Sequence, residues 1–183
     1  MTMQNPAERT RKGEQLQTEL LAASVARPAT LLESSWRDFI FAEVWSRPGL
    51  DRRSRFLIAL AGSACEGLND DIISAYARGA LATGELTLAE LREAALHLAV
   101  YAGWSRGTAL DKAITRAADE LGLPAAEIPP LRAEPWDPQQ RLADGSAGFQ
   151  EVMVFSSPPP VTPYFEAGIL NFVFGEMWMR PGL

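Results

Sequence analysis

The side chains that could do chemistry in this sequence gather in one stretch, from Asn69 to Gly103. At about 100° per residue in a helix, Glu93, His97 and Tyr101 fall on one stripe, which Trp104 joins if the helix runs that far. Histidine is the side chain that most readily gains or loses a proton near neutral pH, and a carboxylate one turn away can orient its ring. We therefore take this stripe as the first candidate site.

The helix before it adds two further candidates, Tyr76 and Arg78. A guanidinium can hold a carboxylate or a carbonyl oxygen, and a phenol can donate a proton or a hydrogen bond. Each candidate also has a purely structural interpretation. His97 could be a hydrogen-bonded core residue, and Tyr76 a buried phenol. Glu93 could form a helix pair or a subunit contact. Arg78 could form a salt bridge to Asp70, Asp71 or Glu85.

Two helices joined by a short turn must position these residues. Asn69 is placed to cap the first helix, which two aspartates follow, and Gly84 ends it. The second helix opens with a capping box, in which the Thr87 and Glu90 side chains each bond the other's backbone N–H. Apolar residues run almost all the way round this second helix, which is typical of a helix buried inside an assembly.

The rest of the chain also reads as helical. Amphipathic patterns predict helices over residues 7–26, 30–45, 52–66 and 108–121, and no stretch before residue 125 alternates as a strand would. The first of these helices is highly polar, so we expect it to pack late or on a neighbouring subunit. Residues 149–155 fit either a short strand or a helical turn. The sequence predicts an all-α helical bundle built on the buried hairpin.

An internal repeat divides the chain. Residues 39–50 match residues 172–183 at eight of twelve places when shifted by 133 positions. We predict an N-terminal helical arm (1–29), a main domain (30–123), a Pro-rich connector (124–160) and the start of a second repeat (161–183). The last segment would otherwise expose a large apolar patch, so its helix should dock on the first repeat or on another subunit.

Composition limits the partners. The 183 residues carry a net charge of −6 without a dense basic cluster, which argues against binding nucleic acid or an anionic membrane. One cysteine, Cys65, and one histidine are too few for an intrachain disulfide or for a metal site built from those ligands. The apolar runs are too short to span a bilayer, and the polar start is unlike a signal peptide. We expect a cytoplasmic protein that binds a small molecule and itself.

Several motifs occur in an order and at a spacing that resemble one family. They are WSRPGLDRRSRFLIALAG at residues 45–62 and YARGALATGELTLAELREAALHLAVYAG at residues 76–103, with the helix after them. This region, about residues 30–123, resembles the carboxymuconolactone decarboxylase family, which includes alkylhydroperoxidase D-like (AhpD-like) proteins. The resemblance implies an all-α fold in which helical hairpins assemble into rings, commonly homotrimers or homohexamers, with sites close to subunit contacts.

The chain departs from that family at its reactive positions. The hydroperoxidase members use a Cys-x-x-Cys pair followed by a His, and the resemblance places Asn69, Ile72 and Tyr76 at those three positions. A disulfide cycle needs an attacking and a resolving thiol, so dithiol peroxidase activity should be absent. Decarboxylase-like members commonly have a histidine where this chain has Tyr76, which replaces a near-neutral proton donor by a phenol.

Three functional interpretations follow. The first is a cofactor-independent decarboxylase, or a related lyase or isomerase, acting on an unsaturated lactone or carboxylic acid. His97, Tyr76 and Glu93 would be catalytic, while Arg78, Tyr101 and Trp104 would bind the substrate. The second is a catalytically silent family member that serves as an oligomeric binding or assembly protein. The third, thiol chemistry through Cys65 alone, is set against its simpler role as a small buried hydrophobe.

Overall fold

The computed structural model describes residues 5–67, 70–125, 127, 130–132 and 135–180. Within these ranges every regular element is a helix, which confirms the predicted all-α fold. None of the described helices is both long and apolar enough to cross a membrane. The chain forms two compact units, Met1–Ala126 and Glu127–Leu183, and each is considered by itself.

The described part of unit 1 contains six α-helices and one π-helix. They are α1 (Pro6–Leu21), α2 (Leu31–Ser35), π1 (Trp36–Val44), α3 (Arg52–Cys65), α4 (Asp70–Ala82), α5 (Leu88–Ala102) and α6 (Trp104–Glu120). The π-helix continues α2 directly, and at its end the Trp45 N–H donates to the Ile40 carbonyl, five residues back, at 2.9 Å. The helix predicted from Thr30 to about Trp45 is therefore continuous, with a wider second part.

Side chains predicted to cap helices do so where the structure describes them. Thr30 and Asp51 each accept a backbone N–H three residues later, at the starts of α2 and α3. At the start of α5, Thr87 and Glu90 form the complete capping box. Asn69, the predicted cap of α4, lies outside the described residues. Local sequence thus determines where these helices begin.

Glycines with positive φ separate the central helices. Gly84 has φ of 70° after α4, and Gly103 has φ of 99° between α5 and α6. A left-handed glycine changes the chain direction within one residue, so α6 begins at Trp104 rather than near Thr108. This places Trp104 on α6 and leaves α5 with Glu93, His97 and Tyr101.

Helix α4 lies at the centre of unit 1 and packs against α1, α3 and α6. Leu20 of α1 is fully buried, and a Cβ atom at Gly79 of α4 would overlap the Leu20 carbonyl oxygen. The missing side chain lets the two backbones approach closely. The N-terminal helix, which was expected to pack late or on a neighbouring subunit, packs within this chain against α4 and π1.

Unit 2 consists of α7 (Pro138–Met153) and π2 (Tyr164–Met177). Phe149 of α7 packs with Leu170 and Phe174 of π2 in a separate small core. The predicted connector over residues 124–160 therefore contains a helix, and the sequence 149–155 is helical as far as Met153 rather than a strand. The helix of the last segment, predicted to dock on the first repeat or on another subunit, is paired with α7 inside unit 2.

The hairpin of unit 2 repeats the α1–π1 hairpin of unit 1. Asn5 caps α1 and Asp137 caps α7, and in both helices a proline follows at the first helical position. Gly13 and Gly145 lie two turns further along, and each faces a backbone carbonyl of its π-helix so closely that a Cβ atom would overlap it. The similarity between the two hairpins therefore extends upstream of the twelve matching residues, into α7.

An ion pair recurs at the same place in both hairpins. Arg9 of α1 bonds Glu43 of π1 at 3.4 Å, and Arg141 of α7 bonds Glu176 of π2. The side chains of the second pair are only 10% and 14% exposed, against 39% and 27% in the first pair. The same contact is thus made in two environments with different access to water.

Candidate functional site

Tyr76 is sealed inside an aromatic cluster. Its side chain is 6% exposed, and its ring stacks on Trp45 with centroids 6.0 Å apart and planes 20° from parallel. Burial raises the pKa of the Tyr76 hydroxyl above its ordinary value of 10.0, and hydrogen bonds from the Trp36 and Trp45 side chains oppose part of that rise. Since an indole N–H can only donate, the phenol oxygen accepts these bonds. Tyr76 is a neutral phenol at physiological pH.

The sequence did not reveal these neighbours of Tyr76, because they come from π1. Trp36 packs edge-on to Phe41 at 5.2 Å, and Trp45 packs edge-on to Phe56 at 4.8 Å. Trp36 and Phe41 lie in π1, Trp45 directly follows it, and Phe56 lies in α3. Which side chain these rings enclose depends on how π1 and α3 pack against α4.

Arg78 connects three helices. Its Nε–H donates to the Leu21 carbonyl at the end of α1 at 3.0 Å, and a terminal N–H donates to Glu120 at the end of α6 at 2.7 Å. The alternative salt bridge to Asp70, Asp71 or Glu85 is wrong in its choice of partner. Asp70 and Asp71 pair instead with Arg116, at 3.9 and 2.9 Å.

The α5 stripe forms as predicted for its first three members. Glu93 and His97 are half-buried, and Tyr101 is 62% exposed. Trp104, at the start of α6, is also 62% exposed. Within one chain, Tyr101 and Trp104 therefore present aromatic surface to the exterior rather than the walls of an enclosed pocket.

A guanidinium that sequence analysis did not select lies on the same side of α5. Arg53 of α3 bonds the Glu90 carboxylate at 2.8 Å, with both side chains partly buried. Glu90, Glu93 and His97 follow each other at helical spacings of three and four residues, so they share one face of α5. The pKa of Glu90 is lowered mainly by hydrogen bonds from Thr87, and the positive charge of Arg53 lowers it further. This face thus holds a fixed carboxylate, a cation and a histidine.

The predicted residues do not all share the same neighbours. Tyr76 faces π1, and Arg78 faces the ends of α1 and α6. Two positions apart on a helix, side chains point in nearly opposite directions, which is why these two diverge. His97 lies on α5, which packs chiefly against α6. The single chain therefore gives Tyr76 and Arg78 separate surroundings.

Two hollows lie elsewhere in unit 1. One of about 240 Å³ runs between α5 and α6 beside Trp104, where Arg92 and Asp111 form an ion pair at 2.6 Å. The other, of about 620 Å³, lies where α1 meets α2 and π1. It is lined by Thr10, Glu14, Gln17, Thr18, Val25, Ala26, Arg27, Pro28, Ser34 and Arg37. Among the described residues, no group of three His, Cys, Asp or Glu side chains is arranged to hold a metal ion.

The larger hollow was not predicted, although the sequence contains one signal for it. Gln17 lies among the leucines on the buried side of α1, at a position where an apolar residue is expected. Its burial to 4% exposure marks it as unusual, because a buried amide needs hydrogen-bond partners. Arg27 and Arg37 gave no signal, since they become neighbours only when the chain folds back after α1.

A family model and two known proteins match this chain, and all three are named for decarboxylases. The family model described as the carboxymuconolactone decarboxylase family matches residues 31–128. The 4-carboxymuconolactone decarboxylase of Acinetobacter baylyi is 30% identical over 132 residues, which cover 68% of this chain and 97% of that protein. The nitrosuccinic acid decarboxylase of Metarhizium robertsii is 38% identical over 82 residues, 45% of this chain. The match spans about half, 54%, of that second relative.

Proposed function

This chain belongs to the carboxymuconolactone decarboxylase family, and on that premise we propose that it removes carbon dioxide from a small unsaturated lactone or carboxylic acid without a cofactor. Loss of carbon dioxide leaves an electron pair, which must move into an electron-accepting group of the substrate before a proton returns to carbon. The two relatives are named for a lactone acid and a nitro acid, and both compounds contain such a group. The substrate itself can therefore supply the electron sink.

The observation that carries this proposal is the polar face of α5. His97 would return the proton, and Glu93, one turn away, would orient its ring. Arg53, which bonds Glu90 on the same face of α5 as His97, would hold the substrate carboxylate with its remaining N–H donors, whereas Arg78 bonds Leu21 and Glu120 at the ends of α1 and α6. Tyr101 and Trp104 would cover the substrate from the exposed side.

Tyr76 has a different part in this scheme. At 6% exposure it is shielded from a substrate in the single chain, so we propose that it positions π1 and α4 rather than donating the proton. This arrangement also favours the second candidate function, an oligomeric binding or assembly protein without catalysis. The buried Tyr76 occupies the position at which the family commonly has a histidine. Arg78 holds helices together instead of facing a substrate.

The proposal includes self-association of the chain into a homotrimer or homohexamer. A neighbouring subunit would then cover the exposed aromatic side chains of Tyr101 and Trp104. Sedimentation equilibrium on the full chain should give three or six times the monomer mass. A monomer at micromolar concentration would remove the subunit contact from the scheme.

Four variants separate the two functions. The purified chain is incubated with 4-carboxymuconolactone, nitrosuccinate and related acids while carbon dioxide release is followed. His97→Ala and Arg53→Gln should each lower kcat/KM at least a hundredfold, with Arg53→Gln acting mainly through KM. Tyr76→Phe and Arg78→Gln should lower thermal stability more than turnover. No release from any acid by the folded wild type would favour the assembly function, and equal turnover in all variants would rule out the α5 face.

A further inference from the structure

The carboxylate of Glu90 connects two helices. Its Oε2 atom accepts the Thr87 backbone N–H at 2.7 Å and the Thr87 hydroxyl at 2.8 Å, both at the start of α5. Its Oε1 atom accepts a guanidinium N–H of Arg53, on α3, at 2.8 Å. A capping box requires of this carboxylate only the bond from the Thr87 N–H. The bond to Arg53 is therefore additional to capping, and it joins α5 to the arginine of the proposed reaction.

Thr87 fixes the orientation of the Glu90 carboxylate. Two donors on this residue hold Oε2, and the Thr87 backbone is itself held where α5 begins. Because a carboxylate is planar, holding Oε2 and the side-chain stem also sets the direction in which Oε1 points. The pKa of Glu90 lies below its ordinary value of 4.5, chiefly because of the Thr87 hydrogen bonds, so Glu90 is ionised at neutral pH. Arg53 thus meets an oriented anion.

The neighbouring Arg52 makes a different kind of ion pair. It bonds Glu19, near the end of α1, at 2.6 Å, and both side chains are 41% exposed. The side chains of Arg53 and Glu90 are 33% and 26% exposed. An exposed pair gains little from holding two long side chains in one geometry. The less exposed pair, in which capping already fixes one partner, is better suited to hold a guanidinium in place.

We propose that Glu90 is a positioning residue that holds one side of the Arg53 guanidinium, so that the remaining N–H donors of Arg53 face the substrate carboxylate beside His97. This inference rests on the proposed function. Glu90 does not touch the substrate and acts only through Arg53. Without the Glu90 charge, the Arg53 side chain samples several rotamers, and binding the acid must order it again. The loss therefore falls on KM, while proton return by His97 changes little.

Glu90→Gln separates positioning from capping, because the amide oxygen of glutamine can still accept the Thr87 N–H. With an acid that the wild type decarboxylates, this variant should raise KM about tenfold and leave kcat nearly unchanged. Two matched controls should leave KM at its wild-type value. Glu19→Gln removes the partner of Arg52, and Glu33→Gln alters a carboxylate that accepts the Ala29 N–H at the start of α2.

A second measurement does not depend on turnover. ¹⁵N relaxation of the arginine side chains is measured on the full chain, and Arg53→Gln identifies the Arg53 Nε–H resonance by its absence. This group should be rigid in the wild type and mobile on the picosecond to nanosecond timescale in Glu90→Gln, whereas Arg52 should not change.

The two measurements distinguish failure of this inference from failure of the proposed function. An Arg53 side chain that is equally rigid in Glu90→Gln, or an active Glu90→Gln with the wild-type KM, would overturn the positioning role. If the wild type decarboxylates none of the acids, the proposed function fails, and the relaxation comparison alone then decides whether Glu90 holds Arg53.

Discussion

At Tyr76 a hydroxyl group lies where the family commonly has an imidazole, and the surroundings fit the phenol. Burial among the aromatic rings, with Trp45 stacked on it, keeps the phenol neutral. A histidine there would exchange protons near neutral pH, whereas a phenol with a raised pKa does not. In our proposal the proton donor is therefore the histidine of α5 and not a residue of α4.

Tyr76→Phe should change how stability depends on pH. The folded pKa lies above the unfolded value of about 10, so the contribution of Tyr76 is complete below pH 10 and is lost as pH rises through the folded pKa. Wild type should therefore lose more stability than Tyr76→Phe when urea unfolding is compared at pH 9 and pH 11. Below pH 10 the variant should be less stable by about 0.5 to 1.5 kcal/mol, because the polar contacts of the buried hydroxyl are lost. Identical pH dependence would contradict a buried phenol.

At the scale of helices, the close approach of α1 to α4 depends on one missing side chain. Gly79→Ala would place a methyl group on the Leu20 carbonyl oxygen and should destabilise unit 1 by about 1 to 3 kcal/mol. Gly62→Ala in α3 is the matched control, because a methyl group there meets nothing within 4 Å. That control should gain about 0.5 to 1 kcal/mol from helix propensity.

Chemical denaturation of the two glycine variants gives the comparison directly. Equal stability changes would mean that α1 does not pack on α4 in solution. Hydrogen exchange over α1 adds a local readout, since Gly79→Ala should expose its amides while Gly62→Ala should not.

Local sequence was enough for the helices of unit 1 and for the spacing of Glu93, His97 and Tyr101 along α5. The Thr87–Glu90 capping box and the left-handed glycines act over a few residues, so their effects were predictable. The hydrogen-bond partners of the candidate residues were not predictable in this way. Arg53 reaches Glu90 across 37 positions and Arg78 reaches Glu120 across 42, and no local pattern encodes such pairings. Helix α7 was missed because Pro138, Gly145 and Gly148 resemble the residues of a connector.

At the scale of the whole molecule, two hairpins make the same ion pair with different exposure. Arg141→Met should destabilise unit 2 by about 3 to 5 kcal/mol, because Glu176 would be left as a mostly buried charge. Arg9→Met is the matched control in unit 1, where the more exposed pair contributes only about 0 to 1 kcal/mol. Hydrogen exchange of α7 and π2 peptides should report the first loss, and α1 peptides should change little in the second.

The double variant Arg141→Met with Glu176→Leu extends that prediction. Replacing both charges by apolar side chains removes the unpaired carboxylate, so protection of α7 should return toward the wild-type level. If the double variant exchanged as fast as Arg141→Met, the loss would come from packing and not from the stranded charge.

The most direct test of the account follows one carbon and one proton. The wild-type chain, treated with a chelator and free of added cofactor, is given 4-carboxymuconolactone labelled with ¹³C at its carboxylate in D₂O, and the mixture is observed by NMR. We predict one labelled carbon dioxide or bicarbonate and one deuterium on product carbon for each substrate consumed, and neither signal with His97→Ala. Unchanged substrate in the presence of folded, assembled wild-type protein would contradict the proposed decarboxylase.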